Sequence, residues 1–338
     1  MKTRRPAPDS RAPTGPEDVA SDALALRDSA TPADTSPPAT RLEVVAAFAA
    51  VYLIWGSTYL AIRFAIETMP PFLMAGARFL TAGAILYAAR RAVGAPKPDA
   101  RQWAAAAVIG GLLLFGGNGG VVWAEQLVPS GIAALIVAIV PLWMVVLDWA
   151  RRGGARPSGR VLIGVAIGLA GVALLVGPDA FNSGDAAGAI HPVGAIVLVL
   201  ASLSWAVGSL YSRGAPVPEG APLLATAMQM LCGGALLILA GIVTGEPGAV
   251  DVAGISAKSA LALLYLIVFG SLIGYTAYVW LLRVQPAARV ATYAYVNPVV
   301  AVFLGWAFAD EPISARIVVA AAIIIGSVAL ITVSRRRS

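Results

Sequence analysis

Residues 53–63 read Leu-Ile-Trp-Gly-Ser-Thr-Tyr-Leu-Ala-Ile-Arg, and residues 203–213 read Leu-Ser-Trp-Ala-Val-Gly-Ser-Leu-Tyr-Ser-Arg. Trp55, Leu60, Arg63 and Gly83 thus recur 150 positions on as Trp205, Leu210, Arg213 and Gly233. Outward from there, Phe115, Gly116 and Gly120 return as Phe269, Gly270 and Gly274. Pro141 and Trp149 return as Pro298 and Trp306, and Val172-Ala173-Leu174 as Val328-Ala329-Leu330. The offset drifts only from 150 to 157, as loop insertions would make it. Each half carries five apolar spans, an odd number, so the second copy must enter a membrane from the opposite side. Inverted repeats of this kind recur in secondary transporters, where two copies rock about a midplane site. The expected fold is an all-α integral membrane protein of ten transmembrane helices in two inverted five-helix repeats.

Composition agrees. The chain is 59% apolar with a mean hydropathy of +0.81, and 12% of it is charged. That is about half the roughly 25% charged share of a globular chain. A soluble protein so apolar could not cover its surface with polar groups. The net charge of +6 suggests nucleic acid only until the charges are located, because they sit in the loops. The single cysteine, Cys232, lies mid-span and leaves no thiol pair for a disulfide. The single histidine, His191, precedes Pro192 at a helix start and reads as an interfacial cap. No metal cluster and no cofactor are expected. Residues 1–40 hold seven prolines, mixed charges and no apolar run, and are expected to form a disordered cytoplasmic tail.

A helix needs about 20 apolar residues to cross the hydrocarbon core. Ten stretches qualify: 43–66, 72–91, 103–125, 131–150, 159–177, 191–211, 221–244, 258–282, 287–308 and 315–333. They divide into a first repeat over 41–178 and a second over 190–334. One set of loops holds Arg90, Arg91, Lys97, Arg101, Arg151, Arg152, Arg156, Arg160, Arg213, Arg283, Arg289 and the tail Arg335–Arg337. The other holds only Arg63, Lys258 and Arg316, with Asp179, Asp185, Glu246, Asp251, Asp310 and Glu311. Fourteen basic residues against three set both termini in the cytoplasm.

Polar and aromatic residues then mark a shared interior. Tyr52, Trp55, Tyr59 and Arg63 follow at helical spacing on one face of the first span, and Ser202, Trp205, Ser209 and Arg213 on the sixth. Asn118, Val121 or Val122, and Glu125 share a face of the third span; Ser271, Tyr275 and Tyr278 share one on the eighth; Tyr293 and Asn297 stand four apart on the ninth. Gly116-Gly117-Asn118-Gly119-Gly120 loosens a helix where backbone can face a cavity, and Gly270 to Gly274 repeats the spacing. Trp55, Tyr59, Asn118, Trp205, Ser209, Tyr275, Tyr278, Tyr293 and Asn297 are therefore the expected substrate-binding residues. The competing readings are structural bonding between helices and, for Tyr59, headgroup contact. Trp103, Trp149 and Trp306 read as interfacial anchors. Gly164, Gly168 and Gly171 read as a packing stripe, echoed by Gly326.

Arg78 is the one charge well inside a span, about 10 Å from the outer end of the second at 1.5 Å per residue. A charge there needs a partner. Glu125, near the outer end of the third span, is the candidate by depth, and the pair is expected either to brace the helices, to gate the outer mouth or to couple to protons. Pro141 and Pro298, which match in the repeat, are with Arg78 and Glu125 the expected gating or coupling residues.

Leu53 to Tyr59, Pro71 through Arg78-Phe79, Pro129-Ser130-Gly131-Ile132-Ala133-Ala134, Tyr293 to Val300 and Ala309-Asp310-Glu311-Pro312-Ile313 together resemble the drug/metabolite transporter superfamily. The likeness is to its EamA-type ten-span exporters, built from two tandem five-span repeats, and covers residues 43–333. It implies export of small metabolites from the cytoplasm across the inner membrane by alternating access through a central cavity. Characterised members handle amino acids, aromatic ones included, and some toxic organic cations. Few buried acids stand here to receive a cation, so amino acids are the expected substrates and multidrug or organic-cation efflux the alternative. The expected partners are a small-molecule substrate, membrane lipid and protons as a coupling ion. An integral membrane enzyme is the rival of another class, but Asp310-Glu311 is the sole adjacent acidic pair in the membrane body, and no partner motif accompanies it.

Overall fold

In lipid, every backbone N–H and C=O needs an internal partner, so apolar runs of this length settle as helices. They do so in the computed structural model, which describes residues 40–150, 159–176 and 191–335. The tail expected over residues 1–40 lies, except for Thr40, outside the described residues. The helices in chain order are α1 (Arg41–Ala65), α2 (Pro71–Ala92), α3 (Ala100–Ala124), α4 (Ser130–Ala150), α5 (Gly159–Val176), α6 (Pro192–Ser212), α7 (Pro222–Val243), α8 (Ala257–Val284), α9 (Tyr293–Ala309) and α10 (Ala315–Arg335). Among the described residues, the first eight are long and apolar enough to cross a membrane. Shorter apolar stretches, Val296–Ala309 and Ala315–Leu330, stand where the ninth and tenth spans are expected. The ninth begins later than the expected residue 287: a separate short helix, Ala287–Val290, precedes it.

Local sequence sets the helix starts. Thr40 and Glu43 form a reciprocal capping box at α1, as Asp99 and Gln102 do at α3. Pro71, Pro192 and Pro222 open α2, α6 and α7, where a missing N–H leaves nothing unsatisfied. His191 stands at the N-cap of α6, but its side chain makes no capping hydrogen bond. Two helices are capped by acids from distant loops. Glu246 accepts from the Phe72 and Leu73 amides at 3.0 and 2.8 Å, and Glu311 accepts from Ser130 N, Ser130 Oγ and Gly131 N at 2.7, 2.7 and 2.9 Å.

The packing pairs exchange when the halves are exchanged. α2 lies along α7, and α5 along α10. α1 packs against α8 and α9, while α6 packs against their counterparts α3 and α4. Small residues permit the closest approaches. Gly168 and Gly171 of the stripe seat Ser327, Ile323 and Ile324 of α10, whereas Gly326, expected to echo that stripe, has open space before it. Trp149 and Trp306 are exposed at the ends of α4 and α9, while Trp103 is half-buried against Tyr87, ring centroids 6.0 Å apart.

Three interruptions shape the interior. α3 and α8 each carry a π-helical segment, Gly110–Gly119 and Leu266–Tyr275, with a wider turn than the α-helix. α4 breaks at Ala138-Ile139, just before Pro141, whose ring cannot sit against a continuous preceding turn. α9 keeps Pro298 within its run, near its start.

Candidate functional site

Trp55 of α1 and Trp205 of α6, equivalent by the repeat, meet edge to face with centroids 5.4 Å apart. Tyr278 of α8 packs on both, at 4.8 and 5.4 Å, and Tyr293 of α9 closes the group at 5.7 Å from Trp55 and 5.8 Å from Tyr278. Each tryptophan lies on a π-helical segment of the other half. A Cβ on Gly117 would come within 2.8 Å of Trp205 Cε3, and one on Gly274 within 2.8 Å of Trp55 Cδ1. The glycines that loosen α3 and α8 therefore also admit the rings. Trp55 Nε1 donates to the Gly270 carbonyl at 3.2 Å, using a backbone acceptor of that segment.

Beside this cluster lies a partly open cavity, whose empty space together with the solvent at its mouth is about 630 Å³. Trp55, Tyr59, Asn118, Trp205, Tyr275, Tyr293 and Asn297 all line it, so seven of the nine expected binding residues converge from both halves. Ser209 and Tyr278 do not line it. Tyr278 is fully buried behind the wall, where its hydroxyl accepts from Trp205 Nε1 at 3.0 Å and bonds Ser209 Oγ at 2.7 Å. These two residues hold the wall in place. Tyr275 Oη donates to Gln229 Oε1 at 2.9 Å, a partner on α7 that the face-by-face reading missed. A lone glutamine in an apolar span was the available signal, since a buried amide must find a partner. With its amide oriented to satisfy both ends, Asn297 donates to the Tyr52 and Tyr293 carbonyls at 3.0 and 3.3 Å.

Arg78 also lines the cavity. Its side chain is buried, its Nε donates to Ser271 Oγ at 2.8 Å, and its guanidinium stands 4.6 Å over the Phe79 ring. Gly270 makes room for it, because a Cβ there would lie 2.7 Å from Nη2. The expected Arg78–Glu125 pair is not formed as a contact: Nη1 of Arg78 and both carboxylate oxygens of Glu125 lack hydrogen-bond partners. Arg63 is the basic residue that reaches Glu125, and it does so at the backbone carbonyl, at 3.3 Å. The helix turn explains the miss. Depth along a span follows from counting residues, but the direction of a long side chain does not. Pro141 and Pro298 are both buried and lie outside the cavity lining. Among the described residues no cluster of acidic, histidine or cysteine side chains could hold a metal ion.

A helical membrane body whose two halves both line an aromatic-walled cavity has the architecture of a membrane transporter. The chain belongs to the EamA-like transporter family, whose model matches residues 42–177 and again 192–333. It is 42% identical to the "Uncharacterized inner membrane transporter YedA" of Escherichia coli (strain K12), over 87% of this chain and 92% of that one. It is 26% identical to the "Probable amino-acid metabolite efflux pump" of the same organism, over 77% of this chain and 85% of that one. A solved crystal structure superposes with a TM-score of 0.61 at 24% identity, over 87% of this chain and 99% of the other, which shows a common fold.

Proposed function

We propose that this protein exports amino acids or similar neutral, amphiphilic metabolites, aromatic ones included, from the cytoplasm across the inner membrane. It does so by alternating access: two inverted repeats of five spans rock about the central cavity, with both chain termini in the cytoplasm. The observation that carries this reading is the aromatic-walled cavity itself, lined by residues of both halves and formed where equivalent tryptophans meet. Relative motion of the halves opens such a site to either side in turn. Indole and phenol rings offer stacking surfaces to a planar or aliphatic side chain. No Asp or Glu stands among the lining residues, which disfavours the alternative of organic-cation efflux. The efflux pump of Escherichia coli to which the chain is similar adds support for an amino-acid substrate.

Reconstitution in liposomes tests the proposal, with labelled phenylalanine, threonine and a quaternary ammonium dye followed in the presence and absence of a pH gradient. Amino-acid flux indifferent to the gradient establishes a facilitator. Flux that follows the gradient makes Glu125, a fully buried carboxyl with unpartnered oxygens, the first proton site to mutate. Movement of the dye alone replaces the amino-acid reading with cation efflux. Chemical alteration of the solute in place of its movement would sink the transport reading.

A further inference from the structure

Two residues that line the cavity each hold a buried polar atom without a partner, and the two atoms are complementary. Arg78 is 3% exposed and lines the cavity. Its Nε is used by Ser271, yet its Nη1 is buried without an acceptor. Asn118 lines the same cavity, and its Oδ1 is buried without a donor. Buried polar groups in native proteins are almost always satisfied, so an exception calls for a reason. A static brace between α2 and α8 explains the Nε bond to Ser271 but leaves Nη1 idle. A pair with Glu125 would occupy Nη1, but the two groups do not touch. A ligand that presents an anionic acceptor to one atom and a donor to the other would satisfy both.

We propose that Arg78 Nη1 receives the carboxylate of the transported solute and Asn118 Oδ1 receives its ammonium group, so that the site recognises a zwitterion by its two ends. This rests on the reading that the cavity is the transport path, and it narrows the substrate to α-amino acids as a chemical class. Arg78 carries the one formal charge among the lining residues, so the cavity selects for a negative group at that end. A guanidinium is suited to this role because its fixed fork of donors can hold one side chain and still offer N–H groups to a carboxylate. The rings of Trp55, Trp205 and Tyr293 remain for the solute's side chain and add favourable faces for the ammonium. Arg78 thus acts in binding, and Glu125 is not required for it.

The test measures binding to the purified full-length protein in lipid nanodiscs. It uses the twenty common amino acids first, then phenylalanine against phenylalaninamide and 3-phenylpropionate. Phenylalaninamide keeps the ring and the ammonium and lacks the carboxylate; 3-phenylpropionate lacks the ammonium. In the native protein the amide should bind roughly 30-fold or more weakly, as expected when one partner of a buried charged contact is deleted. 3-Phenylpropionate should lose about 10-fold, for one hydrogen bond to a charged group. Arg78→Gln should erase the preference for phenylalanine over its amide, and Asn118→Ala the preference over 3-phenylpropionate. Equal binding of phenylalanine and its amide by the native protein overturns the proposal, and so does discrimination that survives Arg78→Gln. If Arg78→Gln fails to fold, the analogue series on the native protein decides alone. Binding by none of the twenty amino acids also overturns the zwitterion assignment. Flux of some other solute in the liposome experiment would then leave the transport reading standing, whereas flux of nothing tried in that experiment would count against transport itself.

Discussion

Trp55 and Trp205 occupy equivalent positions in the two halves, and both give one face to the cavity. Replacing either with alanine removes wall and one buried bond, Trp55 Nε1 to the Gly270 carbonyl or Trp205 Nε1 to the Tyr278 hydroxyl, but no helix cap. Trp55→Ala and Trp205→Ala should each weaken solute affinity about 10-fold or more, the usual scale for a buried aromatic anchor. Membrane insertion and yield should stay near the native level. Flux titrations in liposomes check this, and unchanged affinity in both variants would show that solute does not pass here. Tyr278 behaves differently because it stands behind the wall. Tyr278→Phe leaves Trp205 Nε1 and Ser209 Oγ without that hydroxyl, which should lower stability by about 1 kcal/mol. Thermal unfolding in detergent reads that loss, while solute affinity should move by less than about 3-fold, RT ln 3 being about 0.65 kcal/mol. Depth was legible in the sequence for the tryptophans, since Trp55 and Trp205 stand well inside their spans by count. Rotation was not: Ser209 and Tyr278 share faces with Trp205 and Tyr275, and only the fold shows which of each pair meets open space.

At the scale of elements, the two acidic caps tie loops of one half to helix starts of the other. Glu311 satisfies three donors at the first turn of α4, so Glu311→Ala leaves two backbone N–H groups and a hydroxyl without their acceptor. The expected loss is about 1–2 kcal/mol, the range of a strong N-cap with its favourable charge at the positive helix end. A lowered unfolding midpoint, with Glu311→Gln intermediate, is the outcome to look for; an unchanged midpoint in both variants would show the cap to be inconsequential. The π-helical segments of α3 and α8 were half legible. A run of four glycines around Asn118 announced a loosened helix, and its echo from Gly270 to Gly274 announced a second. What the glycines admit was not legible, because the tryptophans that use the space come from another part of the chain. Gly326 shows the opposite failure. It fits the stripe by spacing, yet its helix turns it away from α5.

Across the whole molecule, the family model matches twice, and the packing pairs α2–α7 and α5–α10, and α1–α8 and α6–α3, map onto one another when the two halves are exchanged. The proposed orientation, read from the distribution of basic residues, is tested by a labelling experiment. In a Cys232→Ser background, Gly248→Cys should react with an impermeant thiol reagent applied to intact cells, and Glu219→Cys should react only after permeabilisation. Both positions are exposed, in loops at opposite ends of α7. Labelling of both from outside, or the reverse pattern, would refute the assigned topology. The sequence by itself determined the helices, their order, the internal repeat and the family resemblance. These follow from apolar runs, from turn residues and from the recurrence of Trp55, Gly83 and Pro141 at Trp205, Gly233 and Pro298. Only the tertiary structure decided which helices are neighbours, which aromatic residues line the cavity, and that Arg78 bonds Ser271 and makes no hydrogen bond to Glu125. The physical reason is that lipid and protein interior are equally apolar. An apolar helix surface therefore does not declare which side faces lipid, and the rotation of each span is set by close packing with partners distant in the chain.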